Sequence, residues 1–254
     1  MSVFWPVQVS AALFAGMAVC LGGGYRLGLR RVAAGRYRSL GTVEGAILAL
    51  LGLLLGFAFA GATSRFESRR DQIVQEANAI GTAYLRLDLV PQSDQPDLRR
   101  LFRTYLETRL RIYGSSSDPA SAEPLFAEVG DLQQKIWTRA VQALSHDDAN
   151  AEARLLVLPA LNEMIDITTT RKVAATTRIP SLILGLLVSV ALLSALLAGF
   201  GMAETGRSWL HVLLYAVAVT LTIYTVLDLD NPRAGLIRLD GADKALTELL
   251  QSIG

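Results

Sequence analysis

The chain has 254 residues, 52% of them hydrophobic and 19% charged, with 24 Lys plus Arg against 23 Asp plus Glu and a formal net charge of +1. So apolar a composition excludes an ordinary soluble domain, and so even a charge balance excludes whole-molecule attraction to nucleic acid. The single cysteine, Cys20, excludes a disulfide framework or a cysteine-based metal site within one chain.

Residues 3–24 contain no Asp, Glu, Lys or Arg and reach the roughly 20 residues that a spanning helix needs. No basic segment precedes this run and arginines follow it, so it reads as a retained helix over 1–25, with Trp5 and Tyr25 as interfacial anchors. A basic loop over 26–42 holds Arg26, Arg30, Arg31, Arg36 and Arg38 and no acidic residue. Such a loop stays on the cytoplasmic side and can bind anionic headgroups. The expected location is therefore a bacterial inner membrane, crossed several times, with the N-terminus outside.

The second span, 43–64, runs on without a Gly-Pro break into Arg65-Phe66-Glu67-Ser68-Arg69-Arg70-Asp71 and then the segment 76–87. One long helix that starts in lipid and ends in water is expected. The middle region, 65–178, balances its charges and is helical in period throughout. Ile73, Ala77, Ile80, Tyr84 and Leu87 form one apolar stripe, and Leu98, Leu101, Phe102, Tyr105, Leu106, Leu110 and Tyr113 a second. Pro91 and Pro96 separate them, and a loop at 114–119 follows. Leu125, Val129, Leu132, Ile136, Ala140 and Leu144 mark a third helix. After a polar turn at 146–150 with N-cap candidates, Leu155, Leu158, Leu161, Ile165 and Thr168 mark a fourth that carries Pro159. These helices make an antiparallel bundle on the far side of the membrane from the basic loop.

Pro180 either opens the third span, 179–203, as a separate helix or kinks a continuous one. The four residues 204–207 force a hairpin to the fourth span, 208–227. The tail, 228–254, has a turn at Asp228-Leu229-Asp230-Asn231-Pro232-Arg233-Ala234-Gly235 and a short amphipathic helix from Asp240. The fold class is all-α: an integral membrane protein with four transmembrane helices and an extramembrane antiparallel helical bundle inserted between helices 2 and 3. Arginines flanking the bundle, Arg65, Arg69, Arg70, Arg171 and Arg178, argue for the opposite orientation, but long domains cross largely regardless of charge.

The basic loop before the second span, Arg69-Arg70 followed by Glu76-Ala77-Asn78-Ala79-Ile80-Gly81 and Tyr84-Leu85-Arg86-Leu87, and the turn containing Asp230, Pro232 and Gly235 carry a resemblance over nearly the whole chain. They resemble the bacterial bestrophin-like family of unknown function, four-span proteins distantly similar to the bestrophins. The resemblance implies a homo-oligomer and an ion, specifically anion, channel in which the second helix lies near the pore. No bestrophin neck or calcium-clasp residue is carried over.

On the second span, Gly45, Ala49, Gly52, Gly56 and Ala60 share roughly one face. Small residues there let another helix approach closely, or line a pore with Phe57 or Phe59 as an apolar constriction. Those phenylalanines are two apart, so at most one lines a pore. Glu44, Asp228 and His211 sit at span ends, where such groups reach interfacial water, and spans running in the same sense keep Glu44 and Asp228 apart. In the bundle Arg69, Arg70, Glu76, Asn78, Arg86, Asp88, Glu163, Asp166 and Arg171 are expected to pair across helices.

No catalytic, cofactor-binding or metal-binding residue emerges. His146 and His211 belong to different compartments, Cys20 lies in lipid, His146-Asp147-Asp148 lacks a second pair at ligand spacing, and Gly22-Gly23-Gly24 has no following Lys-Ser/Thr. The expected partners are the lipid bilayer, further copies of the chain and ions. The alternative to a channel is a non-conducting envelope sensor or scaffold whose bundle binds a partner or ligand.

Overall fold

A computed structural model describes residues 5–35, 41–114, 119–146, 150–205, 209–232 and 235–253. Arg36 and Arg38 of the basic loop, the loop residues 115–118, Asp147 and Asp148, Gly206 and Arg207 of the hairpin, and Arg233 and Ala234 of the tail turn lie outside the described residues. Among those described, the chain is all-helical, without a strand. The helices are α1 (Trp5–Ala33), α2 (Gly41–Leu85), a 3-10 turn (Arg86–Leu89), α3 (Gln95–Gly114), α4 (Pro119–Ala143), α5 (Ala151–Thr176), α6 (Ser181–Thr205), α7 (Trp209–Leu229) and α8 (Asp240–Ser252).

Local chemistry sets the boundaries. Gly35, at φ +62°, takes the left-handed conformation that closes α1, as the residue after a helix commonly does. Asn150 caps α5 by accepting from the Glu152 amide at 2.9 Å. Thr177 leaves the helical region at ψ 122°, and the Pro180 carbonyl accepts from Ile183 and Leu184. Pro180 therefore opens α6 as a separate helix. The second helix is continuous over 45 residues, as its unbroken pattern predicts.

The chain forms two compact units, residues 1–66 with 178–237, and residues 67–177 with 238–254. In the first, three helices among the described residues are long and apolar enough to cross a membrane, lying within Trp5–Ala33, Gly41–Leu89 and Ala151–Ala203. The fourth expected span falls in α7, whose described apolar stretch, Leu213–Leu229, is shorter. Leu13, Met17 and Leu21 of α1 pack with Leu51 of α2, Ala191 and Ala195 of α6, and Ala216, Val219, Ile223 and Leu227 of α7. The closest approach is between α1 and α6. A Cβ placed on Gly24 would fall 1.9 Å from the Leu196 carbonyl oxygen, and one on Gly199 would fall 2.2 Å from that of Leu21. Lipid offers no hydrophobic drive between helices, so contact through small residues is what holds this pair together.

In the second unit the expected stripes bury Ile73, Ala77, Ile80 and Leu87 of the α2 side, Leu98, Phe102, Tyr105 and Leu106 of α3, and Val129, Leu132, Ile136 and Ala140 of α4. Helix α5 departs from expectation. It buries Ala153, Val157, Ala160, Leu161 and Met164, while Leu155 is 76% exposed. The expected stripe and the buried one share Leu161, and both lead through Thr168 to Arg171, which reaches a carboxylate on α2; they differ in the first half of the helix, where Ala153 and Val157 are buried instead of Leu155. Helix α8 packs in this unit through Leu246, fully buried, and Leu249, which lies against Gly81.

Candidate functional site

Helix α2 carries most of the residues singled out from sequence. In its membrane half, Leu51, Ala58 and Ala62 are buried, whereas Gly45, Ala49, Gly52, Gly56 and Ala60 are all exposed. A Cβ added at Gly45, Gly52 or Gly56 would meet no atom within 4 Å. Among the described residues these three glycines thus meet no neighbouring helix, in contrast to Gly24, Gly28 and Gly199. Phe57 and Phe59 are 67% and 43% exposed. At about 100° per residue, Phe59 lies about 60° from the middle of the stripe and Phe57 about 100° on the other side.

Past the membrane half, the family-motif residues have separate tasks. Arg69, nearly buried, donates to the carbonyls of Ala174 at 3.0 Å and Thr177 at 2.5 Å. A guanidinium there satisfies the orphan carbonyls at the C-terminus of α5 and complements its dipole. Glu76 is fully buried and accepts from Arg109 Nε of α3 at 2.5 Å and from Arg171 of α5. One carboxylate so joins three helices. Burial alone would raise the Glu76 pKa, but the charges of Arg109 and Arg171 and their hydrogen bonds hold it below its usual value. Tyr105, fully buried beside them, accepts at its hydroxyl from Gln133 Nε2 at 3.4 Å, and burial pushes its pKa up.

Arg86 donates to the Leu156 carbonyl at 2.6 Å. Tyr84 accepts from Arg99 at 3.0 Å and donates to the Ile253 carbonyl at 3.4 Å. Arg70 and Asn78 are exposed. Of the nine charged or amide residues expected to pair across helices, Glu163 and Asp166 are also exposed, and Asp88 pairs with Arg99.

The tail turn belongs to the first unit. Asp230, 2% exposed, accepts from Arg65 Nε and from the Ile179 amide, each at 2.8 Å. Arg178 donates to the Asp230 carbonyl at 2.5 Å and to Asn231 Oδ1 at 2.6 Å. Asp230 therefore pins the turn both to α2 and to the start of α6. Asp228 does not reach interfacial water as its position at a span end suggests. It is 2% exposed and folds back under the turn to accept from the amides of Leu236 at 3.0 Å and Ile237 at 2.9 Å. A Cβ on Gly235 would fall 2.4 Å from Asp228 Oδ1, which explains why glycine stands there. Pro232 is buried in the same turn.

Two charged partners escaped the sequence reading, Arg109 and Arg65 as the partner of Asp230, while Tyr105 lies in the core as its stripe predicts. A signal existed for the first. Leu98, Phe102, Tyr105 and Arg109 step by four, three and four, which places an arginine on a buried stripe, where it needs a partner. Among the described residues no three metal-ligating side chains converge. Of the bundle residues singled out, Arg69, Glu76, Arg86, Asp88 and Arg171 are engaged with partners, whereas Arg70, Asn78, Glu163 and Asp166 are exposed.

An uninterrupted helix with a membrane half, close small-residue packing of α1 on α6 and a buried ion network together define an all-helical membrane protein. The chain belongs to the bestrophin-like family: the model of the bestrophin-like domain matches residues 12–242. A bacterial bestrophin homologue from Klebsiella pneumoniae has the same fold, with a TM-score of 0.70 at 14% identity over 93% of this chain and 98% of that one. A further structure of the Klebsiella pneumoniae homologue gives 0.67 at 15% identity over 97% of both chains. No curated protein matches the chain.

Proposed function

We propose that the chain assembles into a homo-oligomeric ion channel that passes anions, with α2 next to the conduction axis. The observation that carries this reading is the uncovered stripe Gly45, Ala49, Gly52, Gly56 and Ala60, opposite a packed side. A small-residue face left open by its own chain suits the close gathering of several copies of one helix around a symmetry axis. Family membership and the resemblance to bestrophin anion channels support the choice of ion. Phe59, nearer the stripe than Phe57, supplies an apolar ring that gates by dewetting. The reading is of a conduit, not an enzyme, in a bacterial inner membrane, oriented by the arginines of residues 26–42.

The test is to purify the protein, determine its subunit number and record conductance in planar bilayers. A ring of several subunits is expected, with anion currents reduced by Gly56→Leu and altered by Phe59→Ala. A monomer or dimer with silent bilayers overturns the proposal.

A further inference from the structure

Two sets of arginines border the membrane helices of the first unit, and they are engaged differently. Arg65 and Arg178 are tied to Asp230 and Asn231. The side chains of Arg26, Arg30 and Arg31 are exposed and make no hydrogen bond or ion pair among the described residues. The residues between them expose aliphatic side chains, Leu27 at 49%, Leu29 at 41% and Val32 at 42%. No acidic residue occurs between Gly22 and Val43, and the first one beyond, Glu44, lies against Gly201 of α6. Unlike Arg65 and Arg178, these three guanidiniums have no ion pair among the described residues.

Their placement is fixed. Gly24 and Gly28 hold this end of α1 against α6, and at about 100° per residue Arg26 and Arg30 point to the opposite side. Helix α1 has 29 residues. That makes it about 43 Å long, so it outruns a hydrocarbon core of about 30 Å and carries its last turns to headgroup depth. Exposed leucines beside arginines are the pattern of side chains whose stems lie in acyl chains while their heads meet phosphate.

We propose that the outward face of the C-terminal end of α1 is a binding site for the headgroup phosphate of anionic lipids, held by Arg26 and Arg30. The site depends neither on conduction nor on membrane orientation. Each arginine at an anionic surface strengthens binding about fivefold, so two give a preference of about thirtyfold over a zwitterionic lipid.

The protein is purified in phosphatidylcholine, exposed to mixed phosphatidylcholine and phosphatidylglycerol vesicles, and the retained lipid counted by native mass spectrometry. Phosphatidylglycerol is expected to be retained selectively by the wild type. Arg26→Gln/Arg30→Gln should fall to the phosphatidylcholine level, while Arg103→Gln/Arg111→Gln, exposed cations on α3, should behave as wild type. If the double variant fails to fold in phosphatidylcholine, Arg30→Gln alone decides, with an expected retention of about a fifth of wild type. No selectivity in the wild type, or undiminished selectivity in the folded variant, overturns the site. Displacement of the lipid by millimolar inorganic phosphate would also overturn it, by showing a small-anion site instead.

Discussion

Replacing Glu76 by Gln removes a negative charge from a place where no water can compensate for it. The carboxylate is 0% exposed, Arg109 3% and Arg171 10%, so the variant leaves two guanidiniums with little solvent and without the Glu76 charge between them. Breaking a buried pair from one side costs about 3–5 kcal/mol. For a chain of this size that lowers the melting temperature by roughly 6–20 °C. The assay is thermal unfolding in detergent followed by circular dichroism. The cost should depend on pH in a defined sense. Glu76 in the folded protein holds its proton more weakly than in the unfolded chain. The stability it adds is therefore complete above the unfolded value of about 4.3, and is lost as the pH falls through the lower folded value. The gap between wild type and Glu76→Gln should stay constant from pH 8 to about 5.5 and close only in stronger acid. Glu76→Met combined with Arg109→Leu and Arg171→Leu should regain most of the loss, since a packed apolar trio needs no counter-charge. A single variant within about 0.5 kcal/mol of wild type at neutral pH would refute the buried-triad reasoning, that being the size of an ordinary surface substitution.

Glycines should divide sharply by place. Gly24→Ala puts a Cβ 1.9 Å from the Leu196 oxygen and should cost about 1–3 kcal/mol or more in thermal unfolding, while Gly52→Ala, with nothing within 4 Å, should leave the melting of the single chain unchanged. Gly235→Ala drives a Cβ to 2.4 Å from Asp228 Oδ1 and should loosen the tail turn, seen as faster hydrogen exchange at the Leu236 and Ile237 amides. Asp230→Ala leaves Arg65 without its carboxylate and the Ile179 amide without an acceptor, and a loss of about 3–5 kcal/mol is expected in the same melting assay. Reporter fusions at Ser116 and at the C-terminus check orientation, and cytoplasmic signal at Ser116 would overturn the reading of the arginine loop.

The long helix, the amphipathic stripes of α3 and α4 and the Asn150 cap were legible because each rests on local spacing or on one residue's chemistry. The stripe of α5 was legible only in part, because two stripes of equal period share Leu161 and spacing alone does not say whether Leu155 or Ala153 and Val157 face the core. Glycine chemistry was legible in kind but not in place. Small residues occur at four-residue spacing on α1, on α2 and on α6, and sequence cannot say which of these faces finds a neighbour. In the structure Gly24, Gly28 and Gly199 meet one another's helices, and the stripe of α2 meets none. Charges follow the same division. Arg65, Arg69, Arg109, Arg171 and Arg178 have side-chain partners, and Arg26, Arg30 and Arg31 have none among the described residues. A fold that satisfies most of its buried polar groups among its own residues and leaves the small-residue stripe of α2 and the basic end of α1 exposed offers two surfaces for the contacts proposed above. Chemistry assigns these surfaces to different occupants, because helix backbones approach through glycine whereas phosphate is held by guanidinium.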